Sequence, residues 1–599
     1  MTARVNDFQF RIATANGTGS QSANLILLRS LFEMGVHVSG KNMFPSNISG
    51  LPTWYIVRVS EQGYQAPADE THMHVLMNKA TWMQDIEEAE SGSVLIYNTD
   101  VKLPVEREDV IQIPIPMTTM ARTINAKLSR MLANVIYVGA IAELIGIDDS
   151  ALESSIALQF SGKSSAIDLN KQAADLGREW IRENHTHDCN LTIEARPIDD
   201  DLFMMEGNEA VALGSLFGGL SFLSWYPITP SSSLAEAVIE HAPGLRSTDD
   251  GETVAVIQAE DELAAIGMVI GAGWAGARAM TTTSGPGISL MSEFIGLAYF
   301  AEIPSVIWNV ARVGPSTGLP TRTQQADLSL VYEASHGDTQ HIVLMPGNIA
   351  ECFEFAWRAL EYAEIYQTLV FGLSDLDLGM NRWVARDLPY PEEPLSRGKV
   401  IQSQEALDAI PEYGRYRDID GDGIPYRTLP GSGLAPILTR GTGRDEDGVY
   451  SEEPDVYRAN MERLKRKIDG ARDILPAPVL REEKELEVGI IFFGSLESTI
   501  QEIDDIIEET GRMVSQCRVR ALPLHSEVEA FVERHERIIV LELNRDGQLY
   551  NILRKELPIH LVPRVHSVAY SDGFPPRAHL YAEAVMAELT KWERMDVST

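Results

Sequence analysis

Two prolines three residues apart, Pro227 and Pro230, sit at the centre of the stretch Trp225 to Glu236 and leave it little conformational choice. Each ring fixes its own φ and drives the preceding residue, Tyr226 or Thr229, toward extended backbone. Ser221 to Tyr226 reads as a short buried strand, after an apolar run from Leu213 whose glycines suit a closely packed helix. Beyond the corner, Ser231 to Ser233 offer capping hydroxyls. Glu236 stands at the capping-box spacing from Ser233. The stretch therefore predicts a strand end, a rigid turn and a helix start. Such a corner presents Thr229 and the free N–H groups of the helix above a sheet. On the residues alone it could equally be a well-capped connection that binds nothing.

The chain around it alternates strand and helix patterns. Val254 to Gln258, Ala279 to Thr282, Val306 to Asn309, Val343 and Thr368 to Leu373 predict strands, with helices at Glu262 to Ala277, Ile288 to Phe300 and Ala350 to Glu361. This alternation implies a parallel, doubly wound sheet, in which ligands lie beyond the carboxyl ends of the strands. Those ends are Tyr226 to Ser231, Ala259 to Glu262, Ser284 to Gly287 and Arg312 to Thr321. Upstream, Phe8 to Ala15 predicts a strand that enters a Gly17-Thr18-Gly19-Ser20 turn and a helix. Strands follow at Val36 to Ser39, Trp54 to Val59, Val75 to Met77, Ser93 to Tyr97 and Val110 to Ile115, with one long helical region at Ala121 to Ile147. The turn lacks the third glycine and the following acid of a dinucleotide fingerprint. Residues 1–195 thus form one α/β domain, 196–207 a linker, and 205–383 the doubly wound domain. Residues 384–485 form an extended insertion or crossing arm, and 486–599 a third α/β domain.

Three loops carry candidate chemistry. Gln258-Ala259-Glu260-Asp261-Glu262 sets carboxylates where a buried strand gives way to an apolar helix. Acids there compensate a helix dipole, but Glu262 runs directly into Leu263 to Ile266, where a carboxyl can relay a proton. Arg312, directly after an apolar strand, offers a fork suited to a carboxylate, with Thr317 and Thr321 beside it. A structural acid could also claim it. Lys41 lies in a turn-rich loop with Phe44-Pro45-Ser46-Asn47, a setting better suited to binding than to packing. Asp418-Ile419-Asp420-Gly421-Asp422-Gly423 starts like a calcium loop, but Leu429 stands where a bidentate Glu is needed. No metal ligand is assigned to the chain.

The formal net charge of −37 excludes a nucleic-acid-binding surface. Met1 to Asn16 has no basic-then-apolar signal pattern, and the uncharged stretch Leu263 to Ala277 is too short and glycine-rich to span a bilayer. A cytoplasmic location is expected. The three cysteines, Cys189, Cys352 and Cys517, cannot build a four-thiolate iron–sulfur cluster.

Four motifs in order then define a resemblance. Tyr226-Pro227-Ile228-Thr229-Pro230-Ser231-Ser232, Glu260-Asp261-Glu262, Thr282-Thr283-Ser284-Gly285-Pro286-Gly287 and Gly314-Pro315-Ser316-Thr317-Gly318-Leu319-Pro320-Thr321 resemble the α subunit of 2-oxoacid:ferredoxin oxidoreductases. The Gly17-Thr18-Gly19-Ser20-Gln21-Ser22 turn and the Phe44-Pro45-Ser46-Asn47 loop resemble that family's γ domain, so the chain looks like a γ–α fusion. The γ turn departs from the commoner double-glycine form at Ser20 and Ser22. The resemblance implies a γ-type domain, a pyrimidine-type thiamine diphosphate-binding domain and a transketolase C-terminal-like domain.

It also implies reversible, coenzyme A-dependent oxidative decarboxylation of a 2-oxoacid, with ferredoxin as electron acceptor. The substrate is expected to be 2-oxoglutarate rather than pyruvate, since Lys41 and Arg322 suit a second carboxylate; such an enzyme would serve a reductive TCA cycle. Thiamine diphosphate would be shared with a separate β subunit that supplies Mg2+ and a [4Fe–4S] cluster, in a dimer of heterodimers. The absence of an Asn-Asn pair after Gly421-Asp422-Gly423 fits that division. Glu262 is implied as the catalytic carboxylate on the pyrimidine N1′, with Pro230 and Gly285 as further cofactor contacts. Thr229, Arg312, Thr321 and Lys41 are implied to hold the substrate, and Asp422 to order the arm. Rival readings are another thiamine-dependent enzyme, of the indolepyruvate oxidoreductase or sulfopyruvate decarboxylase type, and a non-catalytic α/β binding scaffold.

Overall fold

Short apolar strands separated by helices close into parallel sheets because each connecting helix must cover a sheet face. The computed structural model shows this and describes residues 3–44, 50–185, 189–249, 251–435, 439–482 and 486–598. The chain divides into two compact units. One is Met1–Phe203 with Gln501–Ile503 and Pro575–Leu580; the other holds the rest.

In the first unit, strands Ile111–Ile115, Val94–Asn98, Met73–Leu76 and Phe8–Ala15 lie side by side in parallel. Pro52–Val59 and then Val38–Met43 continue the sheet antiparallel. The expected helix over Ala121 to Ile147 is two helices, Met117–Ile124 and Ser129–Ile145, bent by 114°. Asn125 makes the break: its extended backbone ends the first helix, and its side chain accepts from the N–H groups of Lys127 and Leu128. Among the described residues no single helix is long and apolar enough to cross a membrane. Pro45, Ser46 and Asn47 lie outside the described residues.

In the second unit, six parallel strands run in the order Ala255–Gln258, Phe222–Trp225, Ala279–Thr283, Ser305–Ala311, Leu369–Asp375 and Ile342–Leu344. Ala521–Leu522 adds an antiparallel edge. A second sheet has the order Val479–Arg481, Ser515–Val519, Val488–Phe493, Arg537–Glu542 and Val565–Ala569. One apolar core runs through both sheets, from Ile307 and Phe371 to Ile491, Val540 and Leu553. Buried polar contacts reinforce it: Arg518 forks onto Glu351 at 2.6 and 2.9 Å, and the Gln325 amide donates to the Phe493 carbonyl at 2.9 Å.

The stretch expected to be a linker, 196–207, ends in a strand, Phe203–Glu206. The expected capping box does not form. Ser231 is the N-cap of helix Ser232–Leu245, yet its hydroxyl donates back to the Ile228 carbonyl at 3.1 Å, as does that of Ser232 at 3.2 Å. The Ser233 hydroxyl instead accepts from Asn208 at 2.8 Å. Ser231 and Ser232 serve the double-proline corner itself: their hydroxyls donate to its Ile228 carbonyl instead of accepting from the N–H groups of the helix start.

In the arm, Asp422 accepts from Lys399 Nζ at 2.8 Å and from the Ile424 N–H at 2.9 Å, while Asp418 accepts from Arg466 at 2.7 Å. The carboxylates that resembled a calcium loop are therefore taken by lysine, arginine and backbone.

Candidate functional site

The four strand ends singled out in the sequence all open on the same edge of the six-stranded sheet, because the strands are parallel. Phe222–Trp225 ends in the proline corner. Its Thr229–Pro230 peptide bond is cis, and the buried Asn208 amide donates to the Pro230 carbonyl at 2.9 Å. Ala255–Gln258 ends at Asp261, whose carboxylate caps helix Glu262–Trp274 by accepting from the Ala264 N–H at 2.7 Å. Asp261 therefore satisfies the helix start, and Glu262, only 7% exposed, is left for another role.

Glu262 packs against the next strand end. A Cβ built on Gly287 would lie 2.0 Å from Thr283 Oγ1 and 3.0 Å from Glu262 Cγ, so only glycine lets helix and carboxylate approach this closely. Replacing Gly287 by Ala is accordingly expected to push Thr283 and Glu262 aside and lower the unfolding midpoint; an unchanged midpoint in thermal unfolding would show that the close approach is not needed.

Helix Gly285–Ala301 begins at Gly285, whose N–H faces the carboxylate of Asp327. Asp327 also accepts from the buried Asn309 amide at 2.9 Å. Burial outweighs these contacts and the nearby Arg312 charge, and pushes the Asp327 carboxyl up to about 6. Arg312 follows strand Ser305–Ala311, is 6% exposed, and donates through Nη1 to the Thr229 carbonyl at 2.6 Å. Burial lowers the Arg312 pKa and the Asp327 charge opposes it. Its Nε–H has no hydrogen-bond partner among the described residues.

The structure thus brings Glu262, Gly287, Gly285 and Asp327 together by close approach, and Arg312 and Thr229 by a hydrogen bond, with Asp327 and Arg312 lining one cavity on the same sheet edge. A cavity of about 1000 Å³ adjoins them, lined by Gly285, Arg312, Asp327, Leu290, Asn544 and Asp572 among others. Thr229, Glu262 and Thr321 lie outside its lining. Thr321 is buried and accepts from Arg322 through its carbonyl at 2.9 Å and its hydroxyl at 3.4 Å. Lys41 belongs to the first unit, buried on strand Val38–Met43 opposite Ile56.

Two residues of this edge escaped the sequence reading. Asp327 follows an irregular loop with no helical or strand period to flag it. Its signal was an acid immediately before the apolar run Leu328 to Val331, the same pattern that singled out Glu262. Asn208 sits at the start of an apolar helix and points back to a turn 22 residues later, a contact no local pattern announces.

A doubly wound parallel sheet with a buried carboxylate, a glycine cradle and a buried arginine at its carboxyl edge defines the class of cofactor-binding α/β enzymes. Residues 214–394 match the family model described as pyruvate flavodoxin/ferredoxin oxidoreductase, thiamine diphosphate-binding, and residues 9–180 match that described as pyruvate ferredoxin/flavodoxin oxidoreductase. The chain is 32% identical to the 2-oxoacid:ferredoxin oxidoreductase 2 α subunit of Aeropyrum pernix, over 92% of this chain and 94% of that one. It is 32% identical to the 2-oxoglutarate synthase subunit KorA of Methanothermobacter thermautotrophicus, over 61% of this chain and 94% of that one. Among solved structures it is similar to a 2-oxoglutarate:ferredoxin oxidoreductase from Magnetococcus marinus, with TM-score 0.86, 29% identity, and 97% and 99% of the two chains covered. The chain belongs to the α subunits of the 2-oxoacid:ferredoxin oxidoreductases.

Proposed function

We propose that this chain is a fused γ–α subunit that works with a β subunit to convert 2-oxoglutarate, coenzyme A and oxidised ferredoxin to succinyl-CoA, carbon dioxide and reduced ferredoxin, reversibly. The observation that carries the reading is the gathering of Glu262, Gly287, Asp327, Arg312 and Thr229 on one sheet edge, with Asp327 and Arg312 lining one cavity there. The choice of acid is supported by the Magnetococcus marinus structure, which holds 2-oxoglutarate, coenzyme A and succinyl-CoA and spans almost the whole chain.

Thiamine diphosphate, when bound, supplies the nucleophilic carbon that makes decarboxylation of a 2-oxoacid possible. The residues present fit it. A buried carboxylate faces a glycine that a single methyl group would block, and the buried hydroxyls of Thr281, Thr282 and Ser284 have no partner among the described residues. Glu262 holds a proton against the pyrimidine N1′. Pro230 and Gly285 shape the wall beside it. Arg312 receives the 2-oxoacid carboxylate, with Thr229 and Thr321 as hydroxyl donors. The Asp327 charge favours the charged form of Arg312. The β subunit supplies Mg2+ and the [4Fe–4S] cluster, since three cysteines in this chain are too few for four thiolate ligands.

The test is a substrate panel on the assembled enzyme, with coenzyme A and a low-potential viologen. Oxidation of 2-oxoglutarate is expected, dependent on thiamine diphosphate and coenzyme A; oxidation of pyruvate alone would overturn the choice of acid. Arg312→Lys is expected to lower kcat/KM for the 2-oxoacid about 10- to 100-fold, mostly through KM. A charge-assisted hydrogen bond contributes about 1.5–3 kcal/mol, and lysine cannot reproduce the fork. Unchanged KM in that variant would remove Arg312 from the substrate site.

A further inference from the structure

The arm meets the doubly wound domain at the carboxyl end of helix Gly285–Ala301, and the meeting point is crowded with cations. Glu302, fully buried with φ of +59°, accepts from Arg463 at 2.5 and 3.0 Å and from Lys467 at 2.9 Å, with Arg444 at 3.3 Å. The buried Glu364 pairs with Arg278 at 2.9 Å and Arg397 at 3.0 Å. Glu302 is therefore fully claimed, while Glu364 Oε1 accepts no hydrogen bond among the described residues.

Two further buried arginines make no hydrogen bond to a carboxylate, and Arg427 keeps only a long ion pair with Glu364. Arg415, 6% exposed, spends Nη2 on the Glu302 carbonyl at 3.0 Å. Arg427, 4% exposed, comes no nearer to Glu364 than 3.7 Å. Arg415 Nη1 and Arg427 Nε and Nη2 have no hydrogen-bond partner among the described residues. Arg415 and Arg427 both line one hollow of about 10 Å³, together with Trp274, Glu302, Pro304 and Thr439.

Buried guanidinium N–H groups require acceptors. Five buried cations here, Arg415, Arg427, Arg444, Arg463 and Lys467, stand against two buried carboxylates, Glu302 and Glu364. Burial, reinforced by the Arg415 charge, already pushes Arg427 down to about 10. A hollow of roughly one probe sphere, about 10–15 Å³, takes a single small occupant. Sulfate, phosphate and organic carboxylates are too large. A monatomic anion accepts several N–H donors without directional demands and cancels the excess charge.

We propose that Arg415 and Arg427 form a binding site for a small monovalent anion, chloride or bromide, which locks the arm onto the doubly wound domain. The site lies in the arm and needs none of the catalytic assignments.

The test compares thermal unfolding of the assembled enzyme in gluconate, chloride and bromide at constant ionic strength. Chloride and bromide are expected to raise Tm by about 2–3 °C, as a ligand bound only to the folded state does near saturation. Arg427→Gln is expected to abolish that difference. Because the variant can fail to fold, the unmodified enzyme is also crystallised in bromide, where an anomalous peak is expected between Arg415 and Arg427. A Tm that ignores anion identity, or a bromide map with no peak between these arginines, overturns the proposal; water alone in the hollow gives both results.

Discussion

Glu262→Gln is expected to lower turnover of the assembled enzyme by about 10²- to 10⁴-fold, the usual range for loss of a positioned proton carrier. Gln keeps the volume of the side chain but cannot exchange a proton with a ring nitrogen. The fold should barely change, because Asp261, not Glu262, caps helix Glu262–Trp274. Viologen reduction with saturating thiamine diphosphate and coenzyme A measures the first effect, and thermal unfolding the second. A variant with native activity would remove Glu262 from the mechanism and revive the reading of these acids as dipole compensation.

Glu302→Gln is expected to produce the largest stability loss of any single substitution where the arm meets the doubly wound domain. Burial alone would raise the Glu302 pKa, but Arg463, Lys467 and Arg444 outweigh it and hold the carboxyl well below the ordinary range. Removing the carboxylate leaves these cations buried and unmatched, a change that typically costs about 3–5 kcal/mol. The unfolding midpoint should fall by several degrees, and protease should cut first within residues 397–472. Arg444 would lose its ion pair but keep its place over the Tyr416 ring, 3.8 Å from its centroid. A midpoint equal to that of the unchanged enzyme would mean that the cluster contributes nothing net.

The sheet and its working edge were legible because they are written in short-range patterns. Pro227 and Pro230, Glu262 before an apolar helix, and Arg312 after an apolar strand each mark a strand end within a few residues. The contacts that seat the arm were not legible. Glu302 finds Arg463 161 residues away and Lys467 165 away, and no periodicity connects such positions. The break at Asn125 was missed because neither glycine nor proline marks it; a side chain competing for backbone N–H groups ends the helix instead. Phe203–Glu206 was missed because a strand of four half-buried residues shows no alternation. The serines of the proline corner do stand at the helix start, but spacing alone wrongly predicts that their hydroxyls cap it. In the structure their hydroxyls turn back to Ile228.

Helix Gly285–Ala301 has a different kind of residue at each end. Gly285 and Gly287 meet the acids of the candidate site, and Glu302 follows its last turn into the cation cluster of the arm. Its 17 residues form a hydrogen-bonded rod of about 25 Å. A rod transmits displacement along its axis better than it bends, so loosening the arm would shift the glycine cradle without any substitution there. Damage to the arm would then register as lost turnover at temperatures where the sheets are still intact, and activity would be a more sensitive gauge of the arm's seating than any spectroscopic measure of fold.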